Sequence, residues 1–164
     1  MTAMADRTIF STFLADATET DAFAAELADI LSAGDCVLLS GELGAGKSHL
    51  ARAVIQTLQS RFGQPEDVPS PTYTIVQTYA AGDLSILHAD LYRIADASEL
   101  DELGIEEAFE TSLCLIEWPD RIEAFPPGAL DVHLSSEGDG RRVRLRGDAA
   151  VWTPRLTALG SDLA

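Results

Sequence analysis

The sequence predicts an α/β domain in three layers, a mixed central sheet that includes an antiparallel hairpin, with helices packed on both faces. Three observations predict it. A short apolar strand, a glycine-rich loop and an amphipathic helix follow one another between residues 35 and 62. A second apolar strand, Leu113 to Ile116, ends in an acid at Glu117. Between these units, residues 72–90 read as two strands joined by one tight turn, the pattern of a hairpin.

Taken in order, Thr8 to Leu14 reads as a first strand and Thr18 to Ala33 as a helix. Thr18 and Asp21 have the spacing of a capping box, Phe23, Leu27, Ile30 and Leu31 share one face, and Gly34 is the stop. Asp35 to Ser40 is a buried strand. Lys47 to Phe62 is the next helix, with Leu50, Val54 and Leu58 along one stripe and Gly63 after it. Pro65 to Pro71 is a loop. Thr72 to Tyr79 and Leu84 to Asp90 are the hairpin strands, turning through Ala80 to Asp83. Ser98 to Glu110 is an acidic helical stretch broken near Gly104. Ala129 to Ser135 and Arg141 to Arg146 close the sheet, and a last helix is expected after Pro154. The 164 residues suffice for one domain, 1–164, with residues 1–6 and 148–164 flexible or peripheral.

Composition narrows the function classes. A hydrophobic content of 46% excludes a mostly disordered chain. No apolar run approaches the roughly 18 residues a membrane span needs. The N-terminus lacks a basic segment followed by an apolar one, so a cytoplasmic address is expected. Cys36 and Cys114 lie in apolar runs and read as buried, reduced thiols rather than zinc ligands. A net charge of -16 disfavours capture of a nucleic-acid backbone by the bulk surface, so any service to nucleic acid is expected to run through a partner.

The loop Gly41-Glu42-Leu43-Gly44-Ala45-Gly46-Lys47-Ser48 has the spacing of a P-loop. Its glycines reach backbone angles that side chains forbid, so successive N–H groups turn inward around phosphate oxygens. The following helix adds its unsatisfied N–H groups and dipole. Lys47 supplies a point charge and the Ser48 hydroxyl a magnesium ligand. Lys47 is the only lysine; the other ten basic residues are arginines. The expected fold is therefore P-loop NTPase-like, and the expected cofactors are ATP and Mg2+. A carboxylate beside the metal belongs at the end of a buried strand, which offers Glu117 and Asp90. His88 and Asp90 share one face of their strand. For His88 a packed structural role carries equal weight. Thr72, in Ser70-Pro71-Thr72, is placed to sense the terminal phosphate. Trp118 reads as a stacking surface or as core.

These segments together resemble one family. The P-loop, Ser70-Pro71-Thr72-Tyr73, His88-Ala89-Asp90-Leu91-Tyr92-Arg93 and Ile116-Glu117-Trp118-Pro119 occur in the order and spacing of the bacterial TsaE (YjeE) family, from about residue 20 to about residue 146. The resemblance implies an ATPase of tRNA threonylcarbamoyladenosine synthesis that acts with the TsaB–TsaD heterodimer and meets tRNA only through that complex. It implies that Lys47 and the amides of Gly44, Ala45 and Gly46 bind phosphates. Ser48 and Glu117 match magnesium positions, and Thr72 and Asp90 fall in switch-like segments. Trp118 lies near the nucleotide, and Thr20 near the purine. The family's usual threonine pair after the lysine is Ser48-His49 here, which keeps the first hydroxyl and places His49 among the nucleotide contacts.

Arg142, Arg144 and Arg146 alternate along one predicted strand face, and this stripe, or Arg141 at its start, is expected to touch the nucleotide or an acidic partner. Two other functions share the P-loop. A small-molecule kinase normally carries an arginine-bearing lid, whereas residues 98–110 are acidic. A nucleotide-gated binding module with negligible turnover alone differs from an ATPase only in rate.

Overall fold

Cys36 to Leu39 are apolar and buried on both faces, which places their strand at the centre of the sheet. The computed structural model describes residues 8–63, 76–92, 94, 103–121 and 125–157. Within them run β1 (Thr8–Leu14), α1 (Ala17–Ile30), β2 (Cys36–Gly41), α2 (Lys47–Ser60), β3 (Val76–Ala81) and β4 (Leu84–Asp90). Then come α3 (Ile105–Thr111), β5 (Leu113–Glu117), a 3-10 turn (Pro119–Arg121), β6 (Leu130–Glu137), β7 (Gly140–Arg146) and α4 (Ala149–Leu156). The seven strands form one mixed sheet in the order β1-β7-β6-β2-β5-β4-β3. Strand β2 is parallel to β5 and β6, and β4 is parallel to β5. The β3–β4 hairpin, β6–β7 and β1–β7 are antiparallel.

Helices cover both faces, so the expected three layers are present. On one face α1, α2 and α4 pack over a core that includes Phe23, Leu27, Leu50, Val54, Leu115 and Trp152. On the other, Ile105 of α3 joins Cys36, Leu38, Leu87, Cys114 and Ile116. Both cysteines are free and buried; burial pushes the Cys114 thiol up to about 12 and raises that of Cys36 as well.

Several boundaries differ from expectation. Helix α1 starts at Ala17, capped by Asp16 rather than Thr18: Asp16 Oδ1 accepts from Glu19 N at 2.9 Å, and Glu19 Oε1 accepts from Ala15 N at 2.8 Å. An aspartate with a glutamate three residues on satisfies two orphan donors at once, which outcompetes the threonine two residues later. The helix also ends at Ile30, because the Asp35 carboxylate accepts from Ser32 N at 2.7 Å and Gly34, at φ +89, turns the chain. The last helix begins at Ala149, before Pro154, with Asp148 Oδ1 accepting from Ala150 N at 2.9 Å. Residues 148–157 are not peripheral. The Trp152 side chain is fully buried and donates from Nε1 to Gly128 O at 2.7 Å, while Arg155 lies 4.1 Å over its ring. Residues 72–75 and 98–102 of the expected hairpin and acidic helix lie outside the described residues, as does the loop 65–71.

The arginine stripe does fall on one face of β7, away from the buried Val143 and Leu145. Its charges are largely answered within the sheet. Arg142 pairs with Glu137 at 2.9 Å, and Arg146 lies 3.8 Å from Asp131.

Candidate functional site

Strands β2, β5 and β4 are parallel neighbours, so their C-terminal ends meet on one edge of the sheet. That edge carries Gly41, Glu117 and Asp90, and the glycine loop leaves it to enter α2. The loop is tightly specified. Gly41 sits at φ +134, and a Cβ there would lie 2.2 Å from Leu134 O of β6. Gly46 caps α2 at φ +105 in a conformation suited to glycine, so the first N–H groups of the helix open toward the loop interior.

Lys47 is buried beneath this loop. Its Nζ donates to Gly41 O and Glu42 O, both at 2.8 Å, and lies 4.3 Å from the centre of the Trp118 ring. Burial lowers its pKa from the ordinary lysine value even though Glu117, Asp90, Glu42 and Asp120 pull the other way. Trp118 holds a positive φ of 60° without being glycine, and Tyr92 packs on it at 4.8 Å. An indole face over the ammonium is a cation–π contact.

Ser48, one residue on, faces the acid of β5. Its Oγ donates to Glu117 Oε1 at 2.8 Å, and His88 Nε2 lies 2.8 Å from Glu117 Oε2. His88 and Glu117 are 1% and 2% exposed, so this carboxylate is held inside the protein rather than at a solvated strand end. Asp90 is the cross-strand partner of Glu117, and its Oδ1 accepts from Tyr92 N at 3.0 Å, capping the turn after β4. It is buried at the same edge and pulls on the Lys47 ammonium.

These donors suit a magnesium ion. Among the described residues no three His, Cys, Asp or Glu side chains form a protein cage. Magnesium seldom takes one; it is held through one or two carboxylates or hydroxyls, with water and phosphate completing the shell. Ser48 and Glu117, hydrogen-bonded to each other at the mouth of the loop, match that donor set.

Beside the loop lies a cavity of about 250 Å³ lined by Leu14, Thr20, Ala45, Gly46, His49 and Arg141. Its walls come from β1, α1, the glycine loop, α2 and β7, so it lies directly beside the loop. Thr20 of α1 and His49 of α2 both line it. The His49 ring, expected among the nucleotide contacts, is engaged with Asp21 Oδ1 at 2.8 Å. Arg141, expected to touch a nucleotide, lines this cavity and also braces the loop: Nε donates to Ala45 O at 2.9 Å and Nη2 to Gly44 O at 3.3 Å. Sequence reasoning missed this strut, because the pairing of β7 across the sheet is a long-range fact. Thr72 lies outside the described residues.

Residues 14–144 match the family model described as "Threonylcarbamoyl adenosine biosynthesis protein TsaE". The chain belongs to the TsaE family. It is 39% identical over 126 residues to the Rickettsia conorii tRNA threonylcarbamoyladenosine biosynthesis protein TsaE, covering 76% of this chain and 70% of that protein. The Haemophilus influenzae TsaE is 41% identical over 111 residues, 66% of this chain and 68% of that one. Among solved structures, Bacillus subtilis YdiB superposes with a TM-score of 0.75 at 27% identity, over 92% of this chain and 93% of that chain. The fold is that of the P-loop NTPases, as the glycine loop predicts.

Proposed function

We propose that this TsaE-family chain binds ATP with magnesium and hydrolyses it as an accessory subunit of tRNA threonylcarbamoyladenosine synthesis, working in the cytoplasm with a TsaB–TsaD heterodimer. The observation that carries the nucleotide reading is the convergence of Lys47 under the glycine loop with the hydrogen-bonded Ser48–Glu117 pair at its mouth. The pathway rests on the names of the relatives; the partners are those that the family resemblance implies.

The residues divide the work as follows. The amides of Gly44, Ala45 and Gly46 and the α2 N-terminus bind phosphate oxygens. Lys47 Nζ exchanges its two loop carbonyls for the outer phosphates. Ser48 and Glu117, with Asp90 beside them, would hold Mg2+, which supplies charge neutralisation on the phosphates. Trp118 shields the phosphates from water, and the cavity bounded by Thr20, His49 and Arg141 takes the nucleoside. Thr72 is assigned to sensing the terminal phosphate.

The test is direct. Lys47→Ala should lose nucleotide binding by at least about tenfold, since one charge-assisted contact of about 1.5 kcal/mol or more is removed. ATP hydrolysis by the wild type, with and without TsaB–TsaD, separates an ATPase from a nucleotide-gated binding module: no turnover in either condition selects the module. Tight nucleotide binding by Lys47→Ala would refute the cradle itself.

A further inference from the structure

His88 stands in an otherwise apolar stretch of β4, next to Leu87 and Ala89, and is 1% exposed. As core filling it is a poor choice. Its Nδ1 is buried with no hydrogen-bond partner among the described residues, a cost that a leucine or phenylalanine would not incur. What it has in return is one contact, Nε2 to Glu117 Oε2 at 2.8 Å.

That contact requires a proton on Nε2. A carboxylate oxygen accepts, so Nε2 donates to Glu117 Oε2, while Nδ1 meets no partner among the described residues. Glu117 is then gripped at both oxygens, Oε1 by Ser48 and Oε2 by His88. For Oε1 to serve a cation, the Ser48 proton must leave it. Among the described residues the bond to His88 is then what fixes the plane of the carboxylate. We propose that His88 is a positioning residue, which holds Glu117 in the orientation that receives magnesium. This rests on the nucleotide reading above. Partners behind a ligand commonly contribute tenfold to a hundredfold in metal affinity.

The experiment titrates Mg2+ against the affinity of the full chain for a fluorescent N-methylanthraniloyl-ADP. In the wild type, affinity should rise with Mg2+. In His88→Phe, which fills the space without a donor, the Mg2+ concentration for half effect should rise about tenfold or more, with metal-free nucleotide affinity unchanged. His88→Gln, whose amide nitrogen can replace the donor, should recover most of the loss. A folded His88→Phe with the wild-type Mg2+ response would overturn the proposal. If wild-type affinity ignores Mg2+, the magnesium reading falls first and takes this one with it. Should His88→Phe not fold, 15N chemical shifts of the wild-type ring still decide: a proton on Nε2 is required, and a ring bare at Nε2 rejects the bond.

Discussion

At Gly41 there is no room for a side chain. The Cβ of an alanine would lie 2.2 Å from Leu134 O, a backbone atom of the neighbouring strand that cannot step aside. The same glycine carbonyl accepts from Lys47 Nζ at 2.8 Å. One substitution therefore strains the β2–β6 pairing and tilts the acceptor that parks the lysine. Gly41→Ala should cost about 3 kcal/mol in urea unfolding, the upper end for a forced backbone position, and weaken nucleotide binding as well. Gly44 is the control. Its φ is +81 but nothing lies within 4 Å of the added Cβ, so Gly44→Ala meets only the backbone penalty and should cost about 1 kcal/mol. Equal losses at the two positions would mean that conformation alone, and not the close approach of β6, sets the requirement for glycine at residue 41.

Elements were legible in the sequence where a local signal decides them. The strand–loop–helix unit declares itself through Gly41, Gly44, Gly46 and Lys47, and the hairpin through the turn at Gly82, which does hold φ +61. Glu117 was legible because an acid after four apolar residues marks a strand end. What was not legible depends on distant parts of the chain. The start of α1 was misread because Asp16 and Thr18 both offer a cap, and only the return contact of Glu19 to Ala15 selects the first. The last helix was misread because Pro154 is a local signal, while the anchor, Trp152, acts through burial against elements far away in sequence. Its weight can be measured. Trp152 has no exposed surface, and its indole N–H is taken by Gly128 O. Trp152→Ala should lower the unfolding free energy by about 3–5 kcal/mol, the range for deleting a buried aromatic. A loss under about 1 kcal/mol would return this helix to the peripheral status that the sequence suggested.

On the scale of the molecule, the proposed nucleotide site draws on β1, α1, the glycine loop, α2, β4, β5 and β7, that is, on both ends of the chain order and both halves of the sheet. Such a site forms only when the whole sheet is paired, because the Arg141 strut on β7 and the Glu117 acid on β5 reach the loop from opposite sides of β2. Net charge adds to this dependence. A chain at -16 places its single lysine and one arginine around one loop, where the proposed function seats phosphates. Ligand binding should then act on global stability rather than on a local segment. With ligand at one hundred times its dissociation constant, binding to the folded state alone contributes about 2.7 kcal/mol to unfolding. Urea unfolding of the wild type with Mg2+ and ADP at that excess should show this increase as one cooperative shift. Lys47→Ala should show little or none at the same concentrations. A wild-type increase confined to protection of a few amides near residues 41–48, with the global midpoint unmoved, would mean that the loop folds around phosphate on its own and that the two halves of the sheet are not jointly required.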